Sequence, residues 1–97
     1  MNDDRLIIVT YDISDPRRWR RVFKTMHGFG EWLQLSVFQC RLTPRRRAEL
    51  ETRLRELVKP GEDHVLLIEV GPAASTKLAV QSIGKTFSGI ERRAVVI

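Results

Sequence analysis

Two segments of this 97-residue chain are apolar on both sides of a predicted strand, and this pattern constrains the fold most. Leu6–Tyr11 is rich in β-branched residues and does not alternate with polar ones, and His64–Val70 repeats the pattern. Successive side chains of a strand point to opposite faces of a sheet, so both faces here need cover. The sequence predicts a sheet covered on both sides, within a single domain over residues 1–97.

A helix with clear start and stop signals follows the first strand. Asp15 is the expected N-cap and Pro16 the first helical residue, while Gly28 and Gly30 end the helix. Its apolar residues recur at i, i+3, i+4 and i+7, and they are Trp19, Val22, Phe23 and Met26. One side of this helix is therefore expected to pack on the sheet.

The rest of the chain predicts one more helix and further strands. The helix begins at Thr43–Pro44 and stops at Pro60–Gly61, and its buried stripe consists of Leu50, Leu54 and Leu57. Glu31–Leu42 is either one long strand or two short ones with a bend, because periodicity alone does not decide. Two last strands are predicted around Leu78–Ile83 and at Ala94–Ile97. The class is α+β, with two helices and a sheet of four to five strands.

This element count leaves one face of the sheet without cover. Two helices that cross over one small sheet lie on the same face, yet Leu6–Tyr11 and Val65–Ile68 are apolar on both. The sequence has no third helix for the second face. We therefore predict a homodimer in which symmetry-related sheets face each other.

Composition restricts the partners and the compartment. The chain has 17 Lys and Arg against 12 Asp and Glu, and a pI near 10.1, which favours a polyanionic partner. Cys40 is the only cysteine, so no internal disulfide can form and a reducing compartment fits. No signal peptide or membrane-length apolar run is visible. A cytoplasmic location without a membrane partner is expected.

The two helices arrange their charges differently. Acidic and basic residues of the second helix are spaced to neutralise each other in the i, i+4 pairs Arg45/Glu49, Glu49/Arg53 and Glu51/Arg55. No acid stands between Asp15 and Glu31 in the first helix. A solvated basic face is one interpretation of that helix and phosphate contact the other, which we favour. The candidate nucleic-acid contacts are Arg17, Arg18, Arg20, Arg21 and Lys24.

Asp12 directly follows the first strand and is the candidate catalytic and metal-binding residue. Aspartates at strand ends often only form turns, and Asp15 fits a helix cap better than a ligand. Mg²⁺ is usually held by one or two carboxylates, with water and substrate oxygens completing its shell. Two copies of Asp12 that meet across a dimer axis would supply such a pair.

Several motifs, in this order and spacing, resemble the CRISPR-associated Cas-two family, the small partner of the spacer integrase. They are Tyr11–Asp15 after the first strand, the arginine-rich helix, Gly28–Glu31 and Gln34–Phe38. The resemblance covers nearly the whole chain and implies a ferredoxin-like α/β sandwich, a homodimer and Mg²⁺-dependent phosphodiesterase activity. It places the metal-binding aspartate on Asp12 and the Ser-x-Phe positions on Ser36 and Phe38, with Tyr11 and Asp15 in supporting places.

Three functions follow as hypotheses. Two Asp12 carboxylates would hold Mg²⁺ while arginines and Ser36 position a phosphate backbone, which makes the chain an endonuclease of CRISPR spacer acquisition. Alternatively it is a non-catalytic scaffold that bridges integrase subunits and holds duplex DNA, or a stand-alone endoribonuclease toxin of similar fold. Arginine contacts to phosphate carry no base information, so DNA and RNA are both open as partners.

Overall fold

Four strands and two helices form one α+β sandwich in the computed structural model, which describes residues 3–85. The elements are β1 (Arg5–Asp12), α1 (Pro16–Met26), β2 (Gly30–Gln34), β3 (Val37–Leu42), α2 (Pro44–Leu57) and β4 (His64–Pro72). The sheet order is β2-β3-β1-β4 and all three pairings are antiparallel. This confirms the predicted ferredoxin-like architecture.

The structure divides the segment Glu31–Leu42, left open by its periodicity, into two strands. A turn at Leu35 and Ser36 separates β2 from β3, and Leu35 takes a φ of 39°, which non-glycine residues rarely adopt. The Trp32 indole donates to the Leu35 carbonyl oxygen at 3.0 Å, and the Tyr11 N–H donates to the Ser36 carbonyl oxygen at 3.2 Å. These bonds attach the turn to its own hairpin and to β1.

The core lies between one face of the sheet and both helices, as predicted. Its buried members come from β1, β3, α1 and α2, with Phe29 between elements, and include Ile7, Val9, Tyr11, Val22, Met26, Phe38, Cys40, Leu42, Leu50 and Leu54. Burial raises the pKa of the Cys40 thiol to about 12, so this thiol stays protonated. Cys40 is therefore a packing residue.

Both helices begin at the residues that the sequence indicated. The Asp15 carboxylate accepts from the Arg18 N–H at 3.0 Å, and the Thr43 hydroxyl oxygen accepts from the Arg46 N–H at 3.1 Å. Each cap satisfies an amide at the helix N-terminus that has no partner inside the helix. Neither helix among the described residues is long and apolar enough to cross a membrane.

One predicted strand is wrong. Leu78–Ile83 has no regular secondary structure and pairs with no strand among the described residues, and it passes beside Leu33 and Val37 on the hairpin instead. Two apolar residues of this segment remain exposed, Val80 at 46% and Ile83 at 90%, so it neither joins the sheet nor is buried against it. The predicted strand at Ala94–Ile97 lies outside the described residues.

The second face of the sheet is covered at one end and open at the other. Leu6 is fully buried, so the chain itself covers part of this face, which we had expected a partner sheet to cover. Leu66 and Ile68 on the edge strand β4 remain 49% and 48% exposed. Cover is therefore missing mainly at β4.

Candidate nucleic-acid interface

Asp12 ends β1 with an exposed side chain, and within residues 3–85 its carboxylate makes no hydrogen bond or ion pair. The strand register places Asp12 opposite His64, Thr10 opposite Leu66 and Ile8 opposite Ile68. Because side chains alternate along a strand, Asp12 lies on the same face as the exposed Leu66 and Ile68. The carboxylate thus stands at the edge of the open apolar face.

The turn after Asp12 is held in place by one buried carboxylate from elsewhere in the chain. Asp63 accepts from the Ser14 N–H at 3.2 Å, the Lys59 N–H at 2.9 Å and the Arg18 guanidinium at 2.7 Å. Asp63 lies near the surface, but its side chain has no accessible area because these donors cover it. The Arg18 hydrogen bond, helped by the two backbone N–H groups, lowers the pKa of Asp63 to about 2.

Arg18 consequently differs from the other basic residues of α1. Its guanidinium bonds Asp63 and also meets Glu62 at 3.3 Å, and the Asp63 hydrogen bond raises its pKa. Our interpretation that no charge of this helix is compensated was wrong for Arg18. Glu62 and Asp63 lie 44 and 45 positions further along the chain. The i, i+4 spacing rule considers only residues of the same helix, so it could not identify them.

The other four cations of α1 form what we call the α1 quartet: Arg17, Arg20, Arg21 and Lys24. All four are exposed, and within residues 3–85 none makes an ion pair or a side-chain hydrogen bond. Their i, i+3, i+4 and i+7 spacing puts them on one side of the helix. This surface therefore offers four positive charges to an anionic ligand.

The charges of α2 largely neutralise each other, as predicted. Glu49 pairs with Arg53 at 3.2 Å and Glu51 with Arg55 at 3.4 Å. The predicted Arg45/Glu49 pair is absent from the described contacts, because Glu49 instead meets Arg46 at 2.7 Å. The two helices thus differ in unpaired positive charge despite similar arginine numbers.

Ser36 and its aromatic neighbours form an internal junction. The Ser36 hydroxyl oxygen accepts from the Trp19 indole at 2.8 Å, while Phe38 is fully buried. Tyr11 is buried, with 5% of its surface exposed, and its hydroxyl group makes no hydrogen bond of normal geometry. Burial therefore raises the pKa of Tyr11, and the nearby Ser36 side chain offsets this only in part. These residues join β1, the hairpin and α1.

A metal would find few ligands in one copy of the chain. Within residues 3–85 no three His, Cys, Asp or Glu side chains are grouped so that they could hold a metal ion. Asp12 alone supplies an exposed carboxylate at the end of β1. The residues therefore fit Mg²⁺ only as a site completed by a second copy or by substrate oxygens.

Sequence reasoning missed the residues that come to this site from the start of β4. Glu62 and Asp63, just before β4, form ion pairs with Arg18, and His64 lies opposite Asp12 in the strand register. No pattern in the sequence near Asp12 or α1 indicated that these residues lie there. Only the strand register, which pairs the end of β1 with the start of β4, would have found them.

The sequence is similar to known proteins over nearly its whole length, and these relatives carry the same name. A CRISPR-associated endoribonuclease Cas2 of Geobacter sulfurreducens is 57% identical, over 97% of this chain and 99% of the relative. One from Rhodospirillum rubrum is 51% identical, over 99% and 94%. The crystal structure of Streptococcus pyogenes Cas2 matches with a TM-score of 0.69 and 26% identity, over 79% of this chain and 99% of that one.

A hypothetical protein from Thermus thermophilus has the same fold, with a TM-score of 0.73 and 32% identity over 86% of this chain and 96% of that chain. The family model described as CRISPR associated protein Cas2 matches residues 5–77, which include β1, α1, the hairpin, α2 and β4. The chain belongs to the Cas2 family of CRISPR-associated proteins.

Proposed function

We propose that this protein is a homodimeric, Mg²⁺-dependent endonuclease of CRISPR spacer acquisition, working in the cytoplasm with the integrase on RNA or DNA. The observation that carries the proposal is the exposed Asp12 carboxylate, which lacks a partner among the described residues and stands four positions before the start of α1 with its unpaired cations. The names of the relatives, endoribonuclease Cas2, support a nuclease. A carboxylate that can bind a metal ion, next to cations that can bind phosphate, is an arrangement suited to phosphodiester hydrolysis.

The described residues would divide the work. The α1 quartet holds phosphates by charge, which fixes the backbone without reading bases. Arg18 and Asp63 position the turn between Asp12 and α1 rather than bind substrate. Ser36, as the acceptor for Trp19, acts by fixing that junction.

Asp12 from each of two copies would hold Mg²⁺ at the dimer contact. Bound there, the ion would supply an activated water and neutralise charge that develops on the phosphate. The position of Asp12 on the same face as Leu66 and Ile68 supports this arrangement, since two copies joined by that face would bring their Asp12 residues toward each other.

The test is the pair Asp12→Asn and Glu56→Gln, assayed for cleavage and for binding of a labelled single-stranded RNA and a duplex DNA. Glu56 is an exposed carboxylate of α2, so it is the matched control. We expect Asp12→Asn to lower Mg²⁺-dependent cleavage by about a hundredfold or more while affinity changes by about twofold or less. Chelation by EDTA should abolish cleavage by the wild type.

The outcomes separate the alternatives. Equal cleavage by Asp12→Asn and the wild type would contradict the catalytic role of Asp12. Strong binding without any cleavage would favour the scaffold hypothesis, in which the chain only bridges integrase subunits. Cleavage of cellular RNA and growth arrest without the integrase would favour the toxin.

A further inference from the structure

A groove opens beside the first turns of α1, next to the α1 quartet. Its volume is about 410 Å³, which is within the range of clefts for small organic ligands, roughly 300–1,000 Å³. The lining residues, which define the α1 groove, are Ile13, Ser14, Pro16, Trp19, Arg20 and Phe23. Four of them recur at i, i+3, i+4 and i+7, so the groove follows one side of the helix.

The aromatic part of the groove is held rigidly. The rings of Trp19 and Phe23 are stacked, with centroids 5.0 Å apart and planes 12° from parallel. Phe23 in turn meets Trp32 and Phe38 edge-on at 5.9 Å and 5.7 Å. Because the Trp19 indole also donates to Ser36, its side chain is already ordered and would lose little conformational entropy when a ligand stacks against it.

Charge indicates the class of ligand. No acidic residue lines the groove, Arg20 lines it directly, and Arg17, Arg21 and Lys24 add exposed positive charge beside it. A flat aromatic surface with cations at its rim is the arrangement that binds unpaired bases together with their phosphates. An apolar protein segment bound in the groove would form no ion pairs with these cations.

We propose that the α1 groove binds one unpaired nucleobase, stacked on Trp19, while the α1 quartet holds the adjoining phosphates. The inference deepens the proposed function, because it requires nucleic acid at α1, and it identifies a single-stranded segment as the ligand. Bases in a duplex stack on each other and do not offer a free face. Phosphate contact alone would accept either form, so the groove adds a preference for single strands.

The experiment compares a short oligoadenylate with an abasic oligonucleotide of equal length, which keeps the phosphates and lacks the bases. The wild type should bind the oligoadenylate about tenfold more tightly. Trp19→Leu should remove most of that difference and Trp19→Phe should restore part of it. Trp32→Leu, which alters the other tryptophan next to Phe23 but not the lining, should retain the difference.

A spectroscopic readout does not depend on variants at Trp19. The chain has two tryptophans, so Trp32→Phe leaves Trp19 as the sole indole fluorophore, and stacking of a base should quench it. Quenching by oligoadenylate but not by the abasic strand supports the proposal, provided thermal melting shows a folded protein.

Equal affinities for the two oligonucleotides, or unchanged Trp19 fluorescence, would overturn the nucleobase site and leave phosphate binding intact. Failure of both oligonucleotides to bind at low salt would instead contradict the proposed function itself. The two failures are therefore distinguishable in one titration series.

Discussion

At the scale of the residue, Asp63 connects three parts of the chain that meet beside Asp12. Its carboxylate accepts from Ser14, Lys59 and Arg18, and these donors stabilise the ionised form. The pKa of about 2 lies below the ordinary value of an aspartate, about 3.9. A lowered carboxyl pKa stabilises the fold fully above the ordinary value, and this contribution is lost as pH falls toward 2.

We therefore predict that the stability lost in Asp63→Asn depends on pH. The free energy of unfolding of the variant should be lower than that of the wild type at pH 7, and the difference should shrink between about pH 4 and pH 2. Urea denaturation at pH 7, 4, 3 and 2 measures it. Arg18→Met, which removes the main donor, should weaken the same pH dependence, whereas a constant difference across this range would contradict the account.

Residues whose role depends on nearby sequence were predictable. Asp15 and Thr43 cap their helices as the residue types and the following prolines indicated. The interaction of Arg18 with Asp63 was not predictable, because it joins residues far apart in the chain. The proposed roles of Asp12 and the α1 quartet stay predictions, since they concern ligands rather than contacts within the fold.

At the scale of the element, α1 and α2 allow a direct comparison of free and paired arginines. Arg17 and Arg21 make no ion pair with a described residue, whereas Arg53 and Arg55 pair with Glu49 and Glu51. Each phosphate contact that is lost should flatten the dependence of log affinity on log salt concentration by roughly 0.7–0.9.

The double variant Arg17→Gln/Arg21→Gln should therefore lower the magnitude of the salt slope by about 1.5 on any oligonucleotide. The matched variant Arg53→Gln/Arg55→Gln removes the same charge from α2 and should leave the slope close to that of the wild type. Fluorescence anisotropy between 50 and 300 mM salt measures both. Equal losses of slope in the two variants would indicate a diffuse charge effect instead of contacts at α1.

Elements were predicted well where side-chain periodicity and end signals agreed. Two helices and the strands β1 and β4 appeared close to their expected positions. The division of Glu31–Leu42 into two strands depends on one turn at Leu35. Leucine is not a typical turn residue, so the sequence did not predict this turn. Leu78–Ile83 has the composition of a strand, but a strand also needs a sheet edge to pair with, and composition does not show whether one is reached.

At the scale of the whole molecule, the open end of the second face bears on both dimerisation and catalysis. Leu66 and Ile68 are half exposed on β4, which is an edge strand of the sheet formed by residues 3–85, and an edge strand favours association with another chain. Asp12 lies on the same face, so a metal site built from two Asp12 carboxylates would form only in the proposed dimer. Loss of the dimer should therefore remove cleavage even when Asp12 is intact.

The variant Ile68→Glu tests this link, because a charge on a buried contact of two sheets strongly disfavours association. We expect it to sediment as a monomer at micromolar concentration, to keep the helical circular dichroism of the wild type, and to lose Mg²⁺-dependent cleavage. Leu35→Glu is the control, since Leu35 is 74% exposed on the hairpin turn and lies outside the proposed contact. A dimeric Ile68→Glu would contradict the proposed interface, and a monomeric variant with full cleavage would show that one Asp12 suffices.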